Sequence, residues 1–98
     1  MASEVIDNPA LHRFELAIGD DLAVADYEIQ GDDYLLYHTE VPEHLNGRGY
    51  GSKLARGVYE AIRDRGKRAI PSCSFMAINV KRHPEFASLM RRERPDVR

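Results

Sequence analysis

Alternating apolar and polar residues dominate the first forty positions of the chain. Three alternating runs predict β-strands, at His12–Ile18, Leu22–Gln30 and Tyr34–Val41. Glycine and aspartate separate these runs, at Gly19-Asp20-Asp21 and Gly31-Asp32-Asp33, which is typical of tight turns. The three strands are therefore expected to form an antiparallel meander. The alternation changes near Ala25-Asp26, which predicts a β-bulge there.

The spacing of apolar residues changes after Pro42. Proline lacks the N–H that would continue a strand ladder, so the third strand is expected to end there. Apolar residues then recur at helical spacing over residues 50–65, and Gly66 is a typical helix end. Further along, the pattern predicts a fourth strand at 68–75 and two short helices at 76–81 and 84–92, between a loose lead-in at 1–10 and a frayed tail at 94–98. This order predicts an α+β fold in which an antiparallel meander gains a parallel strand through one crossover helix.

Composition limits the kind of protein. The length of 98 residues predicts a single domain spanning residues 1–98, with a core at about 8–92. The net charge of −2 argues against a nucleic-acid partner. No apolar run approaches the ~20 residues of a membrane span, and the first residues do not resemble a signal peptide. With Cys73 as the single cysteine, we expect a cytoplasmic protein without an internal disulfide.

The segment Asn46-Gly47-Arg48-Gly49-Tyr50-Gly51 carries the clearest functional signal. It lies between a predicted strand and a predicted helix, and its alternate glycines let several backbone N–H groups face one point. A helix beginning there adds unpaired N–H donors and the positive end of its dipole, so the segment predicts a phosphate or pyrophosphate site. Six basic residues follow the segment and are expected to surround the glycine loop with positive charge. They are Lys53, Arg56, Arg63, Arg65, Lys67 and Arg68.

Two common phosphate motifs do not fit this segment. A P-loop requires lysine directly after its last glycine, whereas Ser52 follows Gly51 and Lys53 comes one position later. The dinucleotide fingerprint G-x-G-x-x-G fails in both registers, because Ser52 or Leu54 occupies the position of the last glycine.

A third motif does fit, the [Q/R]-x-x-G-x-[G/A] loop of the Gcn5-related N-acetyltransferases. Gly49 and Gly51 match it, and Asn46 stands where Gln or Arg is usual. Together with Pro71-Ser72-Cys73-Ser74-Phe75 and His83-Pro84-Glu85-Phe86, the chain resembles the small single-domain members of that superfamily over about residues 8–90.

The resemblance implies acetyl-CoA as ligand. The pyrophosphate is then expected on the loop and the first helical turn, at Asn46, Gly47, Arg48, Gly49, Tyr50, Gly51 and Ser52. The pantetheine arm is expected along the strand that ends at Val41, in a gap before the strand carrying Cys73. Arg48 is a candidate for a charge-assisted contact.

Three residues are candidates for catalysis of acetyl transfer to an amine. The resemblance suggests Cys73, either as an acetyl-accepting thiolate or as the acid that reprotonates CoA. His38 and Glu40 lie two apart on one strand, hence on one face, and are candidates for the general base. Buried or solvent-facing side chains without a catalytic role are the alternative for all three. The cysteine and histidines lack metal-site spacing, so no metal is expected.

The sequence leaves three functions open. The first is an acetyl-CoA-dependent N-acetyltransferase, the second a non-catalytic acyl-CoA-binding module, and the third an interaction domain whose loop binds nothing. The acceptor, a small amine or a protein, is not readable from the residues, and either a monomer or a homodimer is compatible with them.

Overall fold

The computed structural model describes residues 4–90. One five-stranded sheet has the order β1-β2-β3-β4-β5, in which the first four strands pair antiparallel and β5 lies parallel to β4. The strands are β1 Ile6–Asn8, β2 Arg13–Ile18, β3 Asp21–Gln30, β4 Asp33–Glu40 and β5 Arg68–Pro71. The helices are α1 Tyr50–Asp64 and α2 Ser74–Arg82, and 3₁₀ turns occupy Glu43–Leu45 and Pro84–Leu89. This mixed α+β architecture confirms the predicted fold class.

A β-bulge in β4 decides which side chains face the helices. Tyr27 pairs with Leu36, whereas the preceding Asp26 pairs with His38, so Tyr37 is an extra residue in β4. The irregularity predicted near Ala25-Asp26 is confirmed, but the additional residue belongs to the partner strand. Because alternate residues of a strand point to opposite faces, the bulge shifts the alternation by one position beyond Tyr37. Thr39 therefore follows Leu36 on the helix-covered face.

Helix α1 begins and ends as its sequence predicts. Gly49 takes the left-handed conformation at its N-terminal cap, with φ of +85°. At the other end Gly66 is also left-handed, and the N–H groups of Gly66 and Lys67 donate to the carbonyls of Arg63 and Ile62 at 2.9 and 3.1 Å. This pair of hydrogen bonds is the Schellman arrangement, which stops the helix at a glycine.

The hydrophobic core lies between one face of the sheet and α1. Fully buried side chains of both elements meet there, and α2 and the second 3₁₀ turn close the core through Met76 and Phe86. The Tyr59 ring packs on Phe86 with centroids 5.5 Å apart, and its hydroxyl donates to the Met76 carbonyl at 2.8 Å. The core thereby fixes α2 against α1, which sets the geometry of the site described below. Its strand and α1 members are Phe14, Leu16, Ala23, Ala25, Tyr27, Tyr34, Leu36, Leu54, Ala55, Val58, Tyr59, Ile62 and Ala69.

Three local predictions were wrong. Residues 6–8, expected within a loose lead-in, form the edge strand β1 on β2. The fourth strand ends at Pro71 rather than 75, and Cys73 instead caps α2. The last predicted helix is a 3₁₀ segment from Pro84 to Leu89. The predictions for residues 1–3, 91–92 and 94–98 fall outside the described residues.

Candidate functional site

The parallel strands β4 and β5 separate partway along their length. They pair from Asp33–Arg68 to Leu36–Pro71, and one further bond joins the Cys73 N–H to the Leu36 carbonyl at 3.0 Å. Beyond that bond β4 continues to Glu40, paired only with β3. The other edge of β4, from Tyr37 to Glu40, and Val41 just beyond it therefore border the gap that the sequence predicted before Cys73.

The structure explains why glycine is needed at each of the three loop positions. Gly47 and Gly49 adopt φ of +82° and +85°, a region that residues with a Cβ rarely occupy. Gly51 has ordinary helical geometry, but a Cβ there would lie 2.6 Å from the Phe75 ring. The first two glycines thus bend the backbone, and the third admits an aromatic ring from α2 against the first turn of α1.

The beginning of α1 presents free backbone donors. Its first hydrogen bond runs from the Lys53 N–H to the Gly49 carbonyl at 3.1 Å, so the N–H groups of Tyr50, Gly51 and Ser52 precede the helical ladder. Gly49 offers no capping side chain, and the first turn contains no acidic residue. These donors and the helix dipole favour an anion at this position.

A cavity of about 250 Å³ lies against this turn. Seven of the eight residues predicted to bind the cofactor line it, whereas Arg48 is exposed and does not. The sequence did not predict its other wall, which consists of Leu45, Phe75, Asn79 and Arg82. The predicted members are Val41, Asn46, Gly47, Gly49, Tyr50, Gly51 and Ser52.

The wall from α2 contributes polar groups. Asn79 is 3% exposed; its Oδ1 accepts a hydrogen bond from Ser52 Oγ at 3.3 Å, and its Nδ2 donates to the Phe75 carbonyl at 3.4 Å. Arg82, one turn further along, also lines the cavity. Asn79 therefore ties α2 to the first turn of α1, and Arg82 adds a basic residue to the same wall. A polar residue within an apolar helical pattern was the only sequence signal for Asn79.

Cys73 lies at the open end of the β4–β5 pair. Its Sγ is 3.5 Å from Thr39 Oγ1, the residue that the bulge turns toward the helices. The thiol thus has the Thr39 hydroxyl as its neighbour at the gap, a contact that the sequence did not predict.

Tyr59 is the other hydroxyl whose charge state depends on this region. Burial, with a smaller contribution from Cys73, raises the pKa of Tyr59 well above its ordinary value, so the Tyr59 hydroxyl stays protonated.

His38 and Glu40 lie together, as predicted, but on the face turned away from Thr39. His38 Nε2 is 3.7 Å from Glu40 Oε1, and their side chains are 53% and 71% exposed. Their cross-strand partners are Asp26 and Val24, on the sheet face that α1 does not cover. Among the contacts of residues 4–90 none joins either side chain to Cys73, so their role as base stays a prediction.

The basic residues divide between the two ends of α1. Lys53 and Arg56 lie near the glycine loop, whereas Arg65 pairs with Asp7 and Lys67 with Asp32 at the far end. About 18 Å of helix axis separates Lys53 from Arg65 at 1.5 Å per residue. The expectation that the whole basic group surrounds the loop was wrong. Arg82, which the predicted group did not include, is a further basic residue at the cavity.

A mixed sheet whose parallel strands separate beside a glycine-rich helix start is consistent with the fold of the GCN5-related N-acetyltransferases. The sequence profile of the GCN5-related N-acetyltransferases matches residues 13–89, and the chain belongs to this family. Membership supports an acyltransferase-type function, for which the family typically uses acetyl-CoA. A comparison with curated proteins finds no match.

Residues 4–90 contain no helix that is both long and apolar enough to cross a membrane. Within the same residues, no three His, Cys, Asp or Glu side chains are grouped so that they could hold a metal ion.

Proposed function

We propose that the protein is an acetyl-CoA-dependent N-acetyltransferase acting on an amine that is not yet identified. The observation that carries this proposal is the cavity of about 250 Å³ at the start of α1, where left-handed glycines and free N–H groups meet Arg82. A pyrophosphate fits this chemistry, since backbone donors and a guanidinium both favour its charge. Family membership supports the same ligand.

The pantetheine arm would follow the unpaired edge of β4 from Val41 toward Thr39. That edge has no strand beside it beyond Leu36, so its backbone groups are available to an extended ligand. This route brings the thioester to the gap beside Cys73. The side-chain hydrogen bonds of Asn79 join the opposite wall to the first turn of α1.

Cys73 is the residue we assign to chemistry. In one route the Cys73 thiolate attacks the thioester carbonyl and the CoA thiolate leaves; the amine nitrogen then attacks the carbonyl of acetyl-Cys73, the Cys73 thiolate leaves, and the amine proton passes through water to the CoA thiolate. In the other route the amine attacks the thioester directly, and the Cys73 S–H gives its proton to the departing CoA thiolate. We retain His38 and Glu40 as candidates for the base; because they lie on the face turned away from Thr39, a chain of water molecules would have to carry the amine proton to them from the gap.

Titration calorimetry with acetyl-CoA and CoA tests the ligand. Binding of both supports the proposal, whereas no heat at about millimolar ligand would remove the enzyme and the binding module together. Intact mass measurement after incubation with acetyl-CoA then separates the two routes. One added acetyl group in the wild type and none in Cys73→Ala supports the covalent route; an unmodified wild type that still acetylates amines supports the direct one.

A non-catalytic acyl-CoA-binding module is the second candidate. It is favoured by the exposure of His38 and Glu40 on the face turned away from Thr39, which leaves no base among residues 4–90 in contact with the thiol. Release of CoA thiol separates the candidates. An increase that depends on an added amine, across a panel of small amines and peptides, supports the enzyme; release that never depends on the amine supports the module.

A further inference from the structure

Two hydroxyl groups lie near the Cys73 thiol, and only one of them has a proton to offer it. The first is Thr39, whose Oγ1 is 3.5 Å from Sγ, within hydrogen-bond range for an atom as large as sulfur. The second is Tyr59, whose pKa is raised by burial and, to a smaller extent, by the charge of Cys73. Tyr59 donates its proton to the Met76 carbonyl at 2.8 Å. The Thr39 hydroxyl is therefore the one that can donate to the sulfur.

The backbone holds both partners of the Thr39–Cys73 contact in place. Thr39 pairs with Ala25, a fully buried residue of β3, so its side chain lies on the helix-covered face. The Cys73 N–H donates to the Leu36 carbonyl at 3.0 Å, and the Cys73 carbonyl accepts from the Ala77 N–H at 3.0 Å where α2 begins. A β-branched side chain also has a restricted χ1. The hydroxyl thus stands beside the sulfur before any charge forms there.

The thiol is accessible and is not used to cap α2. Cys73 is half-buried, and among residues 4–90 no helical N–H of α2 donates to its side chain. His38 and Glu40, the charged residues nearest to Thr39 along β4, lie on the opposite face of the sheet. Negative charge on the sulfur is therefore stabilised by the Thr39 hydroxyl, since a hydrogen bond to the charged form of a group favours that form.

We propose that Thr39 is a positioning residue for Cys73, whose hydroxyl donates a hydrogen bond to the Cys73 thiolate and favours its formation. The inference rests on the proposed function, because that proposal assigns Cys73 to chemistry. In the covalent route, Thr39 donates to the thiolate that attacks the thioester and again to the thiolate that leaves acetyl-Cys73. In the direct route, it donates to the thiolate that remains once the S–H proton has passed to CoA, until the amine proton restores the thiol.

Alkylation by iodoacetamide tests this hydrogen bond without an acyl carrier or an amine. Cys73 is the single cysteine of the chain, so the rate of alkylation reports on this residue alone. Thr39→Val removes the hydroxyl but keeps the branched shape, and Thr39→Ser is the matched control that keeps the hydroxyl. Thr39→Ala, which also lacks the hydroxyl, is measured alongside, so that the comparison does not depend on the stability of one variant.

The expected result is a loss of rate that depends on pH. Without a charge-assisted hydrogen bond the thiolate fraction falls about tenfold or more, and the greater nucleophilicity of the more basic thiolate returns about half of this on a logarithmic scale. Thr39→Val is thus expected to react about threefold or more slowly than the wild type at pH 7. At about pH 10, where thiols are largely ionised, it should react as fast as the wild type or faster. Thr39→Ser should follow the wild type at both values.

Three results would overturn the inference. Equal rates for the wild type and Thr39→Val at pH 7 would show that the hydroxyl does not stabilise the thiolate. A loss of the same size at both pH values would show that Thr39 acts through shape alone. A Thr39→Ser variant as slow as Thr39→Val at pH 7 would exclude the hydroxyl as the cause.

Turnover of acetyl-CoA in the same proteins connects the hydrogen bond with the reaction. Thr39→Val should lower the rate of CoA release about threefold or more, and Thr39→Ser should restore it. An unchanged rate of release in Thr39→Val would contradict the role in the reaction. If the wild type does not bind acetyl-CoA, the proposed function fails, whereas the alkylation rates still report whether Thr39 stabilises the thiolate.

Discussion

At the scale of single residues, the three loop glycines show what spacing predicts and what it leaves out. Gly47 and Gly49 have left-handed φ values, as expected of glycines that turn backbone N–H groups toward one point. Gly51 fits the same motif for another reason, the approach of Phe75 from twenty-four positions further along the chain. A sequence pattern predicts local backbone needs, but a contact between distant segments depends on how the helices pack.

Gly49→Val is expected to weaken CoA binding about tenfold or more. A β-branched residue at φ of +85° is strained by about 1–3 kcal/mol, and relief of that strain would move the N–H groups of the loop. Gly31→Val is the matched control, because Gly31 has φ of +66° in the β3–β4 turn, away from the cavity. Calorimetry and urea unfolding of both variants should show similar losses of stability but an affinity loss only for Gly49→Val. Unchanged affinity in Gly49→Val would contradict the assignment of the pyrophosphate.

Gly51→Ala is expected to destabilise the fold by displacing Phe75. Overpacking costs about 1–3 kcal/mol, which exceeds the ~1 kcal/mol that alanine gains over glycine in a helix. In the Phe75→Leu background the same change should cost less or become neutral, because the ring that blocks the Cβ is gone. Urea unfolding of the four proteins measures this coupling; additive effects of the two changes would show that Phe75 does not press on Gly51.

At the scale of elements, the hydrogen bonds of Asp7 explain an unexpected strand. Its carboxylate accepts from the Tyr27 hydroxyl at 2.7 Å and from Arg65 Nη1 at 2.8 Å, and the same Arg65 nitrogen donates to the Tyr34 hydroxyl at 2.7 Å. Residues 6–8 are too short and too close to Asn8-Pro9 to predict a strand by pattern. These long-range bonds to β3, β4 and the end of α1 hold β1 in place, and none of them is visible in the local sequence.

Arg65→Met is expected to lower the free energy of unfolding by about 1–3 kcal/mol, because the largely buried Asp7 carboxylate and the buried Tyr34 lose a charged donor. Lys67→Met is the matched control, since Lys67 pairs with Asp32 at 2.9 Å but the Asp32 side chain is 83% exposed. The control should cost at most about 1 kcal/mol. Equal losses in urea unfolding would show that burial of Asp7 does not matter.

The pairing of β1 with β2 also gives a dependence on pH. Hydrogen bonds from Arg13 Nε at 2.7 Å and Asn8 Nδ2 at 3.0 Å lower the pKa of Glu15. Since its folded-state pKa lies below the unfolded one, Glu15 stabilises the fold above the unfolded value of about 4.3 and loses this effect as pH falls through the folded pKa. The free energy of unfolding, measured from pH 6 down to about pH 3, should therefore fall less steeply in Glu15→Gln than in the wild type. A slope identical to that of the wild type would contradict the assignment.

At the scale of the whole molecule, the cavity lies at the N-terminal end of α1 and the Asp7–Arg65 contact lies at the other. The sequence predicted the meander, the crossover helix and the parallel strand, because each depends on local periodicity and turn residues. It did not predict Asn79, Arg82 or Thr39, because helix packing and a bulge opposite Asp26 bring these residues to the site. It also placed four distant basic residues at the loop, since neighbours in sequence separate along a rigid helix.

The central claim is that CoA binds with its pyrophosphate on the first turn of α1. A two-dimensional ¹⁵N–¹H NMR titration with CoA tests it most directly. The largest shifts are predicted for the backbone amides of residues 46–52 and the side-chain amide of Asn79, while the amides of residues 6–8 and 65–67 stay unchanged. Absent shifts at saturating CoA, or largest shifts around Leu22 on the exposed side of the sheet, would contradict the claim.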